Sequence, residues 1–232
     1  MFFSFAFRSL NRTFAPAIMK QIRLNHVLPQ VFATQNGIQS DVWQQDVTLE
    51  KGKTYLIEAD SGMGKSTFCS YLIGYRNDFT GELLFDGRSS ADFRMKDWTE
   101  LRQRHISYLF QELRLFPELT AWENVQIKNR LTGFATDHQI DQWFERLGIS
   151  EKRHVKTGLM SFGQQQRVAL IRALVQPFDF LLADEPVSHL DEGNGEQMGQ
   201  LLREEADRQG AAVIITSIGK HMNLAYDVVL KV

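Results

Sequence analysis

The 232-residue sequence has little cysteine, no long apolar run and almost no net charge. It contains a single cysteine, Cys69, so no internal disulfide can form and a reducing compartment is expected. No apolar run approaches the roughly 18 residues of a membrane-spanning helix, so we expect any membrane location to depend on a partner. The net charge is only −2, from 26 basic and 28 acidic residues, and this small charge argues against a nucleic acid partner.

Acidic residues are absent from the first 40 positions, whose charged residues are all arginine or lysine. Five phenylalanines also crowd the first 14 positions. An aromatic, acid-poor start is typical either of a targeting or membrane-surface segment or of a frayed leader, and it lacks the small-residue cleavage site of a secretory signal. We expect residues 1–18 to be a disordered N-terminal extension and residues 19–232 to be the folded domain.

Apolar residues follow two alternating patterns along the chain. Residues 53–59 (KTYLIEA) form a β-prone run before a glycine-containing turn, and residues 66–73 have the periodicity of a helix. Residues 180–183 and 212–216 are continuously apolar, which is typical of parallel strands covered on both faces. Strands alternating with helices predict an α/β fold with a mostly parallel sheet, and the helix-rich residues 90–160 are interpreted as a helical insertion.

Three segments carry the spacing of a helix-capping box, in which a serine or threonine precedes glutamate or glutamine by three positions. They begin at Thr120, Thr136 and Ser161. Asp191 is a further candidate cap, for a helix that ends at Gly210. We expect a helix to start at each of these positions.

Residues 59–67 (ADSGMGKST) lie between a predicted strand and a predicted helix. They match the phosphate loop G-x-x-x-x-G-K-[ST] except for alanine at the first glycine. The chemistry survives that change, because Gly62 and Gly64 let the backbone approach a phosphate closely and adopt positive φ. The N–H groups from Ser61 to Ser66 can then wrap a β-phosphate at the positive end of a helix.

The same loop predicts two side-chain ligands for a nucleotide. The Lys65 ammonium would reach the β- and γ-phosphates, and the Ser66 hydroxyl would bind Mg²⁺. The alternative is a chance glycine-rich turn, which is disfavoured because strand, loop and helix are in register. We therefore expect ATP to contact six residues of this loop: Ser61, Gly62, Gly64, Lys65, Ser66 and Thr67.

An apolar strand leads to two acidic residues at the edge of the sheet where ligands are expected. Asp184 and Glu185 directly follow the apolar residues 180–183, and α/β sheets bind ligands at the carboxyl ends of their strands. Asp184 is predicted to hold Mg²⁺, mostly through water, and Glu185 to orient and deprotonate the attacking water. Two acids after an apolar run are a weak signal alone, but behind a phosphate loop they predict nucleotide hydrolysis.

Further motifs identify a resemblance to the ATP-binding subunits of ABC transporters, from about residue 20 to the end of the sequence. The motifs are residues 80–87 (TGELLFDG), 110–112 (FQE, the Q-loop), 161–167 (SFGQQQR, the signature) and 188–191 (SHLD, the D-loop). Residues 101–125 are similar to a narrower group, the lipoprotein-releasing, macrolide-export and cell-division ATPases. The resemblance implies a P-loop NTPase core, a helical signature subdomain and a small N-terminal antiparallel β part.

The resemblance also implies a head-to-tail dimer, of identical or related subunits, with two ATP molecules at the interface. The signature of the second ATPase subunit would contact each ATP through Ser161, Gly163 and Gln164. Gln111 would act in catalysis by reaching Mg²⁺, and it would couple the site to a transmembrane permease subunit. Phe32, about thirty residues before the loop, would either stack on adenine or simply pack in the core.

Two positions depart from the pattern of the family. Phe162 replaces the first glycine of the signature, and its ring would either clash at the dimer interface or point toward the helical insertion. Ser217 stands where the family has a switch histidine. A serine donates one hydrogen bond but brings no imidazole to the γ-phosphate, so by analogy with a lost oxyanion donor we expect turnover to fall by roughly 10²–10³. His221 either takes over that role or lies on a surface helix.

The sequence leaves more than one class of function open. The leading one is an ATP-hydrolysing subunit that drives a separate permease, held on the cytoplasmic face of the inner membrane through that permease. The second is a regulatory dimer that hydrolyses ATP slowly or not at all. A DNA-repair or translation ABC protein is disfavoured, because only about fifty residues without heptads separate Gln111 from Ser161 and one cassette is present. A small GTPase or a kinase does not explain the signature.

Overall fold

The structure is a computed structural model that describes residues 18–34, 37–58, 64–188, 190–219 and 221–232. The prediction for the N-terminal extension falls, apart from residue 18, outside these ranges. The predicted phosphate contacts of Ser61 and Gly62 also concern residues outside them.

The described chain alternates between strands and helices. Its strands are β1 (Gln21–Pro29), β2 (Asp46–Glu50), β3 (Thr54–Glu58), β4 (Phe79–Phe85), β5 (Arg88–Ser89), β6 (Ile106–Leu109), β7 (Phe180–Asp184), β8 (Ala212–Ser217) and β9 (Val228–Lys231). Its α-helices are α1 (Lys65–Leu72), α2 (Met95–Glu100), α3 (Ala121–Asn129), α4 (Asp137–Arg146), α5 (Phe162–Leu174) and α6 (Glu192–Gln209). Short 3₁₀ and π turns connect several of them. In this part of the chain no helix combines the length and the apolar character needed to cross a bilayer.

A five-stranded sheet forms the centre of the fold, in the order β6-β7-β8-β3-β9, and each pairing in it is parallel. Every residue of β7 and β8 is buried. Continuous burial follows from their central position, since both faces of the sheet are covered. The predicted mostly parallel sheet is confirmed, and the carboxyl ends of its strands form one edge.

The two faces of this sheet belong to two different hydrophobic cores. Along β7, Leu181 and Ala183 pack into one core, whereas Phe180 and Leu182 pack into the other. This alternation is the period of two that strand geometry imposes. Helices α3, α4, α5 and α6 cover the first face, whereas α1, which contributes the fully buried Cys69, covers the second.

A second, antiparallel sheet lies against α1 in the order β2-β1-β4-β5. In β2 buried and exposed residues alternate strictly, because only one face of this sheet packs into the core. The small N-terminal antiparallel part implied by the family resemblance is therefore present. It also supplies Phe32 and Trp43 to the core behind the start of α1.

The side chain of Asp179 joins the antiparallel sheet to the parallel sheet. Its carboxylate accepts a hydrogen bond of 2.8 Å from the backbone N–H of Met19, bonds to Nδ1 of His105 at 2.7 Å, and pairs with Lys51. Burial opposes ionisation of this group, but the hydrogen bonds from His105 and Lys51 prevail and lower the pKa of Asp179. The start of β1, the β2–β3 turn and the start of β7 therefore meet on one carboxylate.

The range predicted as a helical insertion, residues 90–160, contains a strand of the main sheet. β6 pairs with β7 in register, with Ile106 opposite Phe180 and Leu109 opposite Ala183. The helices that follow β6 within this range are α3 and α4, which pack against α5. The predicted range is therefore not a purely helical insertion, because it also contains the edge strand of the parallel sheet, between α2 and α3.

The predicted caps begin the expected helices. Thr120 and Ser161 each form a reciprocal capping box, with Glu123 and Gln164 respectively. The side chain of Thr136 accepts a hydrogen bond of 3.2 Å from the N–H of Gln139. Asp191 caps α6, which ends at Gly210 in the left-handed conformation.

Candidate functional site

A cavity of about 360 Å³ opens at the carboxyl edge of the parallel sheet, beside the start of α1. Seven of the residues predicted to serve the nucleotide line it: Phe32, Gly64, Lys65, Ser66, Thr67, Gln111 and Glu185. Val31, Arg76 and Ile218 complete the lining. Residues that are far apart in the sequence are thus brought to one site by the sheet order.

The start of α1 is built to place backbone N–H groups in this cavity. Gly64 has a φ of +104°, and a Cβ there would lie only 3.0 Å from Cε2 of Phe32 and 3.2 Å from Cζ2 of Trp43. Glycine is therefore required both by the backbone conformation and by the close approach of two aromatic rings. The backbone N–H groups of the first turn and the positive end of α1 make the cavity suited to a phosphate.

Three hydroxyl groups converge on the carboxylate of Asp184, which is 2% exposed. Ser66 Oγ and the Tyr108 hydroxyl each donate to Oδ2 at 3.1 Å, and Thr216 Oγ1 donates to Oδ1. Burial raises the pKa of the Tyr108 phenol well above its usual value, so this hydroxyl keeps its proton and remains a donor. Ser66 and Asp184 were predicted from the sequence, whereas Tyr108 and Thr216 were not.

The oxygen atoms at this point suit a magnesium ion. A serine hydroxyl, a buried carboxylate and the side-chain amide of Gln111 are hard oxygen ligands of the kind that Mg²⁺ prefers. Ser66 and Gln111 line the cavity, and Ser66 also contacts Asp184 directly. The donor set therefore fits the predicted metal, with Ser66, Asp184 and Gln111 as the residues that would hold it.

Glu185 reaches the cavity from a backbone in the left-handed region, with a φ of +49°. Its N–H donates to the carbonyl oxygen of Thr216 at 3.1 Å, and its own carbonyl accepts from the Ser188 hydroxyl at 3.2 Å. A left-handed non-glycine residue costs on the order of 1 kcal/mol, which these hydrogen bonds help to offset. The turn places Glu185 in the lining of the cavity directly after β7.

Arg76 is a cavity residue that the sequence motifs did not reveal. Its guanidinium donates to Thr67 Oγ1 at 3.1 Å and forms an ion pair with Asp78. It follows α1 by a few residues and belongs to no phosphate-loop pattern, so only its basic charge could have pointed to it. Its charge adds to that of Lys65, which is 5% exposed, on the phosphate side of the cavity.

Phe32 lines the cavity, but most of its ring is covered. It is 6% exposed, and its centroid lies 6.4 Å from that of Trp43. The neighbouring Val31, which also lines the cavity, is 58% exposed. Adenine stacking by Phe32 stays a prediction, while its packing against Gly64 and Trp43 is a feature of the structure.

The signature residues of the same chain are not part of the cavity lining. Ser161 caps α5 and exchanges hydrogen bonds with Gln164, and a Cβ on Gly163 would lie 3.0 Å from Cδ2 of Leu190. Phe162 is 43% exposed at the first position of α5. The nucleotide contacts of Ser161, Gly163 and Gln164 therefore stay a prediction.

Ser217, which stands where the family has a switch histidine, and the nearby His221 lie at and after the end of β8. Ser217 is buried at the end of β8 opposite Glu58 of β3, and its neighbour Ile218 lines the cavity. His221 lies in the connection to β9 and not on a helix. Its Nε2 lies 3.1 Å from a Glu58 carboxylate oxygen, and it is not a lining residue of the cavity.

Comparisons with known proteins agree with this geometry. A family model described as ABC transporter matches residues 43–188. The ABC transporter ATP-binding protein YtrE of Bacillus subtilis (strain 168) is 32% identical over 199 residues, which cover 81% of this chain and 86% of that protein. The lipoprotein-releasing system ATP-binding protein LolD of Myxococcus xanthus (strain DK1622) is 37% identical over 175 residues, covering 72% and 77%.

Other relatives are longer or are known in three dimensions. The macrolide export ATP-binding/permease protein MacB of Rhodopseudomonas palustris (strain BisB18) is 34% identical over 175 residues, and this chain spans about a quarter of its length. The ATP-binding cassette MJ0796, solved as a dimer in a post-hydrolysis state with ADP and Pi, superimposes with a TM-score of 0.70 at 28% identity. That match covers 84% of this chain and 87% of the cassette.

Proposed function

Because this chain belongs to the ABC transporter family, we propose that it binds MgATP in the cavity at the start of α1 and hydrolyses it between two head-to-tail copies, driving a separate permease. Its family confirms the predicted ABC-type ATPase with a P-loop fold. The alternative of a regulatory dimer finds no support among these relatives.

One observation carries the proposal for the site. Ser66 Oγ donates to Asp184 at 3.1 Å, which joins the phosphate loop to the acidic end of β7. Lys65, Gln111 and Glu185 line the same cavity as Ser66. A phosphate-binding helix start, an oxygen donor set and a second carboxylate within one pocket are the groups that phosphoryl transfer to water requires.

Each residue then has a distinct task. Bound Mg²⁺ supplies positive charge that neutralises the β- and γ-phosphate oxygens. Lys65 would add a charge-assisted contact to the same oxygens, and Ser66, Asp184 and Gln111 would hold the ion. The Glu185 carboxylate orients the attacking water and accepts its proton.

A second copy is needed to complete the site. Ser161, Gly163 and Gln164 lie at the start of α5, outside the lining of their own cavity. The N-terminus of α5 bears a partial positive charge and would face the γ-phosphate bound by the partner subunit. The dimeric state of the related cassette MJ0796 supports this arrangement.

The permease would dock beside the loop that follows β6. Residues 111–125 include Gln111 and the half-exposed Phe116, so they join the nucleotide cavity to an apolar surface. We propose that a short cytoplasmic helix of the permease packs beside Phe116 and holds this chain on the cytoplasmic face of the membrane. The isolated chain should be washed from protein-free lipid vesicles by salt or alkali; resistance to both would contradict a permease-dependent location.

The central test compares the Glu185→Gln variant with wild type. Glutamine keeps the shape of the side chain but cannot accept the proton, so ATP turnover should be lost while MgATP binding persists. An ATP-dependent dimer should then accumulate on size-exclusion chromatography. Glu145→Gln, an exposed change on α4, is the matched control and should leave both properties unchanged. Full turnover in the Glu185→Gln variant would overturn the assignment.

A further inference from the structure

The geometry points to Tyr108 as a positioning residue, which fixes the Asp184 carboxylate for Mg²⁺ through a hydrogen bond. This inference rests on the proposed function, because it assumes that Asp184 holds the metal. Tyr108 belongs to no nucleotide-binding motif and does not line the cavity. It acts from behind Asp184, inside the sheet.

The contact follows from the order of the strands. β6 and β7 are neighbours, with Tyr108 opposite Leu182, so the long phenol side chain extends to the level of Asp184. Its hydroxyl donates to Asp184 Oδ2 at 3.1 Å. A phenylalanine would fill almost the same space but would leave this oxygen without that donor.

The three hydroxyl donors define the orientation of the carboxylate. A carboxylate offers about four lone-pair positions, and Ser66, Tyr108 and Thr216 use three of them. The donors come from α1, β6 and β8, so the carboxylate is held from three directions. One position on Oδ1 is left for a water molecule of the metal's hydration shell, as expected where Mg²⁺ keeps several waters.

The ring of Tyr108 is itself held in place. Its centroid lies 4.1 Å from that of Phe110, and the ring packs against the second hydrophobic core. Tyr108 and Gln111 lie on the same short segment, three positions apart. The hydrogen bond therefore joins Asp184 to the segment that carries Gln111, and both of these residues would hold the ion.

Outer groups that orient a metal-binding carboxylate typically contribute 10–100-fold to metal affinity. Tyr108→Phe should therefore weaken Mg²⁺ binding about tenfold, measured with Mn²⁺ as a paramagnetic substitute in the presence of ATP. ATP binding in EDTA should be unchanged, because the phosphate loop is intact. Tyr226→Phe removes a hydroxyl that donates only to the Met222 carbonyl oxygen, and this matched control should behave as wild type.

The Asp184→Asn variant tests the metal site itself and so distinguishes its failure from a failure of the role of Tyr108. Weak metal binding in Asp184→Asn together with unaltered binding in Tyr108→Phe would overturn the role of Tyr108 alone. Unaltered metal binding in Asp184→Asn would overturn the proposed site itself. An equal loss of ATP binding with metal and in EDTA would show that Tyr108 is a packing residue only, and would also overturn the inference.

Discussion

The guanidinium of Arg172 donates a hydrogen bond of 2.7 Å to the carbonyl oxygen of Arg114, and a second one to the carbonyl oxygen of Leu113. Both acceptors have left-handed backbones, with φ of +50° for Arg114 and +59° for Leu113. Gln111 precedes this turn, and Arg172 lies on α5, the helix that begins at Phe162 of the signature. One helix therefore connects the signature to the turn behind Gln111.

Loss of this clamp, the two hydrogen bonds from Arg172 to the turn at Leu113 and Arg114, should lower both the stability of the fold and the rate of ATP turnover. Arg172→Met keeps the aliphatic stem but removes both donors, so we expect the free energy of unfolding to fall by about 2–3 kcal/mol in urea titrations. Turnover should fall as well, because the turn that places Gln111 is released. Arg130→Met on the exposed end of α3 is the control, and an Arg172→Met variant with wild-type stability would contradict the clamp.

Lys65 should contribute mainly to nucleotide binding. Lys65→Ala removes a charge-assisted contact to phosphate, so the Kd for MgATP should rise at least about tenfold in calorimetric titrations. Lys96→Ala, on the exposed α2, controls for the loss of a positive charge and should bind normally. Undiminished affinity in Lys65→Ala would count against the phosphate loop as the site.

Ser217 should limit the rate of hydrolysis rather than ATP binding. The side chain stands at the end of β8, where serine gives a shorter, neutral donor than a histidine would. Ser217→His should raise kcat, by up to roughly 10²-fold, with little change in nucleotide affinity. The measurement is steady-state phosphate release, with Kd determined in parallel.

Phe162 provides the comparison that separates two causes of slow turnover. Its exposed ring at the start of α5 could set the rate first, by distorting the contact with the nucleotide of the partner subunit. Phe162→Gly should therefore be measured alone and together with Ser217→His. If none of the three variants accelerates hydrolysis, the interpretation of these two departures as catalytic defects is wrong.

Asp179 should make the stability of the fold sensitive to acid. Its pKa is lower in the folded protein than the value of about 3.9 expected for the unfolded chain. A lowered folded pKa means that the stabilisation is fully present above about pH 4 and is lost as the pH falls through the folded pKa. Asp179→Asn should flatten the acid limb of the free energy of unfolding between about pH 2 and 5. An unchanged acid limb would contradict the role of this carboxylate.

The sequence predicts what is local in this fold and this site. Residues 53–59 anticipate β3, and the capping pattern anticipates the starts of α3 and α5. The apolar run before Asp184 places this carboxylate at the correct edge of the sheet. These features depend on periodicity and on neighbours a few positions away, which a single sequence displays.

Contacts that depend on the order of strands in the sheet could not be predicted from the sequence. Tyr108 and Asp184 are 76 positions apart, and their contact exists only because β6 lies beside β7. Within residues 90–160, the membership of β6 in the parallel sheet likewise depends on its pairing with β7, which is remote in sequence. The alternative that His221 lies on a surface helix was wrong, because this exposed residue lies in the connection to β9.

Cys69 has a practical consequence for observing the proposed dimer. It is fully buried on α1, and burial raises the pKa of its thiol, so the reactive thiolate is suppressed. Since the sequence has no other cysteine, we expect maleimide reagents to label the unmodified chain only weakly. A thiol introduced at Leu159, which is 80% exposed just before the signature, would carry the label alone. Spin labels there on two copies would turn ATP-driven closure into a measurable distance.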